Sequence, residues 1–336
     1  CDLDVEKLVG AGKNADVDGD LIMILGCKPS TKTPLVFAGA DNADVNGNVE
    51  LTITSGTFGQ VFGGNNLGGH IKGHIKLNIE ETGCTPINIE ELYLGGNQAA
   101  YSRYGYYLDA SDNKVKPRTA AMQAITDPDA EGYKAPVAGR IPVPYDEPEL
   151  NVISCTYIGK VFGGGYGERA VLYGNPTVNI NMIAGLWANE LGAADKLGEI
   201  VDVFGGGNAA KVEGNTTVNI GTATKVGMVT EPTYLETSAY SKNTTTGLYE
   251  VAIQGANITG NVFGGGNEAD VSGNTFVNIC AVKSGTTYNA VAEGSKKVTI
   301  AGNVFGGGKG IADNFYCDKA MVGEDGKGSP DNLGTD

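Results

Sequence analysis

"GNVFGGGN" occupies residues 260–267, and near copies stand at 159 (GKVFGGGY), 201 (VDVFGGGN), 302 (GNVFGGGK) and 59 (GQVFGGNN). A glycine run behind Val-Phe can cradle a phosphate, line a calcium site or turn a tight corner, and each reading gives a different protein. The phosphate reading fails on context. A phosphate loop needs Gly-x4-Gly-Lys followed by Ser or Thr at the start of a helix, whereas "GNVFGGGKG" lacks both the spacing and the hydroxyl.

Downstream of the glycines the chain is strand-like: "GNTTVNI" at 214, "GNTFVNI" at 273, "GNPTVNI" at 174, "GHIKLNI" at 73 and "GNVELTI" at 47. In the clearest copy Val212, Thr216, Val218 and Ile220 share one parity and Lys211, Asn215, Thr217 and Asn219 the other, the period of a strand with one buried face. Val298, Ile300, Gly302 and Val304 alternate in the same way into the last glycine run. Each unit therefore reads as strand, glycine corner, strand, with the glycines expected at φ above zero and free of a Cβ so that neighbouring units approach closely.

Units begin at Val36, Val61, Val161, Val203, Val262 and Val304, with weaker copies at Leu8 and Tyr93, giving spacings of 28, 25, 32, 68, 42, 59 and 42 residues. One unit cannot bury its inner face alone, so units must stack. The expected fold is all-β, a parallel β-helix (β-solenoid, pectin-lyase-like) with long loop insertions, forming a single domain over 1–336. Stacked hairpins are the alternative. The chain opens at Cys1 without a signal peptide, which reads as a piece of a longer chain or as a lipidated cysteine.

Two stretches leave the pattern. Residues 98–158 hold seven of the fifteen tyrosines and six of the twelve prolines, too long for a plain connection. Residues 221–256 form a Thr-rich insertion, and "LWANELGAADKLG" at 186 has the composition of one or two helical turns.

Among 336 residues the formal net charge is −15, without clustered Lys and Arg, which argues against nucleic acid. No apolar run reaches the roughly 20 residues of a membrane span. Six cysteines, at 1, 27, 84, 155, 280 and 317, form no Cys-x-x-Cys pair, and their redox state is open.

Calcium is suggested by "NADVDGD" at 14 and "NADVNGN" at 42, chiefly through Asp16, Asp18 and Asp20. Position twelve of such a loop needs a bidentate Glu, yet Leu25, Ile53, Ile220 and Ile279 stand there, and solvated turns are the simpler reading. No other cofactor is indicated. His70 and His74, four residues apart on a strand, sit about 13 Å from each other, too far to share a metal without a turn at Gly73.

Catalysis would need paired carboxylates on one solvent-facing sheet. Outward strand positions are mostly Asn, Thr and Lys, and Asp109, Asp112, Asp127 and Asp129 lie in the insertion without acid/base spacing, so a non-catalytic module is expected. The strongest binding candidates are Tyr101, Arg103, Tyr104, Tyr106 and Tyr107, whose rings and guanidinium suit a sugar or a protein partner. Rings that merely cap the core are the competing reading.

The unit VFGGGNxAxVxGNTxVNI, read at Val203 to Ile220 and Val262 to Ile279, resembles the glycine-rich repeats of large adhesin-like β-solenoid surface proteins of gut Bacteroidota. The resemblance implies an extracellular or cell-surface array that contacts a glycan or a surface protein, and it carries over no catalytic residues. A polysaccharide lyase or glycoside hydrolase of parallel β-helix fold is the rival expectation.

Overall fold

A computed structural model describes residues 5–26, 32–102, 106–109, 114–117, 140–142, 147–190, 196–284, 287–290, 297–310 and 322. The chain is all-β with almost no helix, and its repeats contribute strands to shared parallel sheets. The first sheet runs Lys7–Val9, Thr33–Phe37, Gly56–Phe62, Ile87–Tyr93, Tyr157–Phe162 and Glu199–Phe204. It continues through Gly255–Ile258 with Val262–Phe263 to Lys297–Ile300 with Val304–Phe305, eight layers in all. The second has seven strands: Leu21–Leu25, Val49–Ile53, Ile75–Glu80, Glu149–Ser154, Thr177–Ile180, Thr216–Ile220 and Thr275–Ile279. Between them lies a short parallel ladder of Tyr101–Ser102, Leu172–Tyr173 and Val212–Glu213, extended by the bridges Val17 to Val45 to Ile71 and Val212 to Val271 to Val322. This architecture is compatible with β-helical winding.

The register is set by like residues. Val161 pairs with Val203 and Phe162 with Phe204, while Val218 pairs with Val277 and Ile220 with Ile279. Leu92 stands opposite Val161 and Tyr93 opposite Phe162, so the fourth unit starts at Leu92 and not at Tyr93. Alternation also slips by one residue in the first sheet. Ile158 and Val161, three apart, are both fully buried, and an extra residue lies between them.

The aliphatic residues of all three ladders form one core, including Val161, Leu172, Val178, Val203, Val212 and Val218. The Phe of each unit points the other way, as alternation requires, yet it is buried. Phe37, Phe62, Tyr93, Phe162, Phe204 and Phe263 make a second, separate cluster. Their rings stack with centroids 4.7–4.9 Å apart and planes within 11°, and Phe305 continues the stack. That spacing is the distance between neighbouring strands, so strand pairing itself sets the offset of the rings. Tyr166 closes the cluster edge-on against Phe62 and Tyr93.

The corner glycines are needed for closeness alone. A Cβ on Gly64 would lie 2.6 Å from the Gly96 nitrogen, one on Gly164 2.6 Å from that of Gly207, and one on Gly206 2.7 Å from that of Gly266. The expected positive φ is absent at these corners. It falls instead at Gly56, Gly69, Gly214, Gly221, Gly247, Gly255 and Gly310.

The outward Asn of the last five second-sheet strands forms an amide ladder, the first two strands holding Ile24 and Thr52 at that position. Asn278 donates to Asn219 (2.8 Å), Asn219 to Asn179 (2.9 Å), Asn179 to Asn151 (3.0 Å) and Asn151 to Asn78 (3.1 Å). Replacing Asn179 by alanine removes two donated bonds, to Asn151 and Glu149, and one accepted from Asn219, an expected loss of about 1–3 kcal/mol. Urea unfolding of the variant measures it.

Three excursions leave the ladders. Tyr106–Asp109 pairs antiparallel with Lys114–Pro117 and Arg140–Pro142, Lys225–Met228 with Tyr249–Ala252 and onward to Tyr240–Lys242, and Ala281–Ser284 with Thr287–Ala290. Tyr101–Ser102 and Glu149–Ser154 belong to the ladders, so the first excursion is narrower than 98–158. A single helical turn, Leu186–Glu190, forms where the composition predicts one.

Candidate functional site

The tyrosine cluster divides on folding. Tyr101 is 2% exposed, packs in the aliphatic core and donates its hydroxyl to the Gly73 carbonyl at 2.9 Å, so its ring offers nothing to a ligand. This corrects the expectation of a binding role for Tyr101. Its small-ladder position, directly beside Leu172, requires an inward side chain. Tyr106 and Tyr107 lie on Tyr106–Asp109, the middle strand of the three-stranded excursion sheet, opposite Pro117 and Lys116. Arg103 and Tyr104 fall outside the described residues, as do Asp112, Asp127, Asp129, Cys1, Cys27 and Cys317.

The three calcium candidates are tied to the next layer. Asp16 accepts the Asp44 backbone N–H at 2.9 Å, Asp20 accepts that of Asn48 at 2.7 Å, and Asp18 accepts the Asn46 side-chain amide at 2.6 Å. Asp44 and Asn48 repeat the pattern on the N–H groups of His70 and His74. Acidic and amide residues at these turns thus pass backbone donors from layer to layer. Among the described residues no three His, Cys, Asp or Glu side chains form a group able to hold a metal ion.

Carboxylates do meet on the outer face of the first sheet. Gln60, Glu91, Lys160 and Asp202 occupy one row, and with Glu90 and Tyr157 they line an open depression of about 500 Å³. Glu91 accepts from Gln60 (2.8 Å), the Tyr93 hydroxyl (2.9 Å) and Lys160 (3.2 Å). Burial works against its charged form, but those three donors outweigh it and hold its carboxyl below the ordinary range. Asp202 accepts the Asn261 N–H at 2.8 Å. An inverting glycosidase needs one carboxyl raised to serve as acid, the opposite of what Glu91 shows.

Two acids that the repeat pattern did not single out are the most buried among the described residues. Glu80 and Glu81, 0% and 1% exposed, end the strand Ile75–Glu80 where sister units carry Gly-Thr or Cys-Ala. Glu80 accepts from Val229 N–H (2.8 Å), Thr230 N–H (3.0 Å) and the Thr230 hydroxyl (2.8 Å), fastening the 221–256 excursion to the sheet. Glu81 accepts from Ile87 N–H (2.8 Å) and the Thr156 hydroxyl (2.7 Å) through the same oxygen. Burial raises both carboxyls above the ordinary range despite these donors. Burial, and then the charge of Glu81, likewise pushes the enclosed Cys155 thiol well up, while Cys84 and Cys280 are exposed.

The docked excursion creates a groove. Met228 and Val251 pack on Ile153 and Ile183, and Asn181 accepts the Ala223 N–H at 3.0 Å. Between this wall and the amide ladder lies a trough of about 320 Å³, with Lys76, Glu149, Asn151 and Asn179 on the floor and Lys225 and Leu248 on the wall. Sequence reading located the excursion and the outward Asn row, but nothing in it placed one beside the other.

Comparison of the chain with family models, curated proteins and solved structures finds no match in any of the three. Among the described residues no helix is long and apolar enough to cross a membrane.

Proposed function

We propose that the chain is a closed parallel β-helix, a stiff structural and adhesive module of a bacterial cell-surface or secreted protein that contacts glycan or a surface protein through its excursions. The observation that carries this reading is the contrast between ladders and excursions. The aliphatic register stays aligned from layer to layer, the rings stack from Phe37 onward and the amides from Asn78 onward, while most of the variation in unit length falls in segments that leave the ladders. Quasi-one-dimensional stacks of this kind resist bending and display what they carry at fixed positions. Placement outside the cell rests on the resemblance of Val203 to Ile220 and Val262 to Ile279 to adhesin-like repeats.

The test is a glycan array and a surface-protein binding assay on the full chain beside its Tyr106→Ser/Tyr107→Ser variant. Binding by the parent and a loss of about tenfold or more in the variant are expected, the scale of stacked aromatic contacts. A variant that binds as the parent does removes these tyrosines from the contact surface. The row of Glu91, Lys160 and Asp202 favours a second reading, a polysaccharide lyase or hydrolase. Turnover of an acidic polysaccharide that disappears in Glu91→Gln or Asp202→Asn would overturn the scaffold reading.

A further inference from the structure

The trough beside the amide ladder has the composition of a saccharide subsite, and from it we infer that this protein binds a short segment of an acidic, uronate-containing oligosaccharide there. The inference rests on the glycan-binding reading above and gives it a second, separate location from the tyrosine-bearing excursion.

Three features carry the inference. The first is unused hydrogen-bonding capacity in a fixed frame. An Asn amide has two N–H donors and two lone pairs on its oxygen. The ladder takes one N–H of Asn151 and one lone pair on each of the Asn151 and Asn179 oxygens, and Asn179 spends its second N–H on Glu149 at 3.4 Å. An N–H and two lone pairs are left at the floor of the trough, spaced by one strand separation of about 4.8 Å and held by the sheet rather than by flexible loops. Hydroxyl groups, which donate and accept, match such a mixed row; a purely anionic ligand such as phosphate would find acceptors facing it.

The second is the wall. Leu248 and the aliphatic stem of Lys225 stand opposite the amides, so the trough is polar on one side and apolar on the other. A pyranose has the same division between its hydroxyl rim and its C–H face. The volume, about 320 Å³, falls at the small end of ligand sites, which suits a short segment of a longer chain.

The third is charge. Two ammonium groups, Lys76 and Lys225, and one carboxylate, Glu149, line the trough in a chain of net charge −15. Lys225 is 57% exposed at its side chain and lies 3.7 Å from Glu250, a loose pair that a ligand carboxylate can compete for. A sugar acid supplies that carboxylate together with the hydroxyls the floor requires.

The experiment is calorimetric titration of the full chain with tetragalacturonate and with its methyl ester, using the parent and a Lys76→Ala/Lys225→Ala variant. Both lysines are at the trough surface, and an unchanged thermal transition verifies that the variant is folded. The parent is expected to bind the acid and to bind the ester about tenfold more weakly, with the variant losing a similar factor for the acid, the scale of a charge-assisted hydrogen bond. Equal affinity for acid and ester overturns the inference. Undiminished binding by the variant places the saccharide elsewhere, overturning the trough but sparing the glycan-binding reading. No heat with either probe also overturns it, and that reading is then decided by the array alone.

Discussion

Truncating Phe162 to alanine is expected to destabilise the chain by about 3–5 kcal/mol, the range for a fully buried aromatic. Phe162 is 0% exposed and lies between Tyr93, at a centroid distance of 4.7 Å, and Phe204, at 4.8 Å. Its loss removes two stacked pairs, each worth about 0.5–1.5 kcal/mol beyond burial. It also opens a gap in the middle of a column whose members are held by their own strands and cannot close up. Phe305 provides the internal control, since it is 44% exposed and stacks on Phe263 alone among the described rings. Equilibrium urea unfolding should show Phe305→Ala costing less than half as much. Equal costs for the two variants would mean that the stack is decoration and that stability resides in the aliphatic core.

The second large effect concerns Glu80 and Glu81. Both carboxyls are raised on folding, so the folded chain binds their protons more tightly than the unfolded chain does. Their ionised forms therefore cost stability above the folded pKa, and that cost is lifted as pH falls through it toward the unfolded carboxylate value of about 4.3. Asp41 and Glu91 are lowered, Asp41 by the Asn66 amide and the Lys7 ammonium, and their contributions are lost only as pH falls further, below about 4. Stability measured by urea midpoint should rise from neutral pH into the range just above 4 and then drop. In Glu81→Gln the single amide oxygen can still face Ile87 and Thr156, which share one carboxylate oxygen, and the rise should flatten. Glu81→Ala leaves those buried donors unmatched at about 1–3 kcal/mol each and should destabilise at every pH. A midpoint for Glu81→Gln that tracks the parent across the whole range would show that burial of this carboxyl carries no cost.

Much of the fold was legible because repeats convert one local pattern into a global one. The period of two around Val218 and Ile220 marked the buried face, and the return of Val-Phe-Gly-Gly marked the layers. The role of Phe263 was not legible. Alternation alone turns it outward, and a column of outward rings is buried only because successive layers from Phe37 onward supply one at the same height. The glycine φ values were misjudged for a related reason: sequence registers that a side chain is absent, but not whether curvature or a neighbouring backbone demands it. Of the site, the excursions were visible as breaks in the repeat. The inward turn of Tyr101, the burial of Glu80 and Glu81 and the trough at Lys225 depend on contacts between residues tens to about 150 positions apart, which no local pattern encodes.

The two larger excursions leave from different layers, the tyrosine-bearing one from the layer of Ile87–Tyr93 and the 221–256 segment from that of Glu199–Phe204. Two strand spacings separate those layers, about 9.5 Å along the stack. The stack thereby acts as a graduated rule on which attachment points can move only in whole steps. Lengthening a loop alters its reach but not its mark on the scale, whereas duplicating a unit shifts every later mark by one step. For a polymeric ligand gripped at both marks, avidity is then tuned by counting layers, in increments of about 4.8 Å, rather than by reshaping either grip.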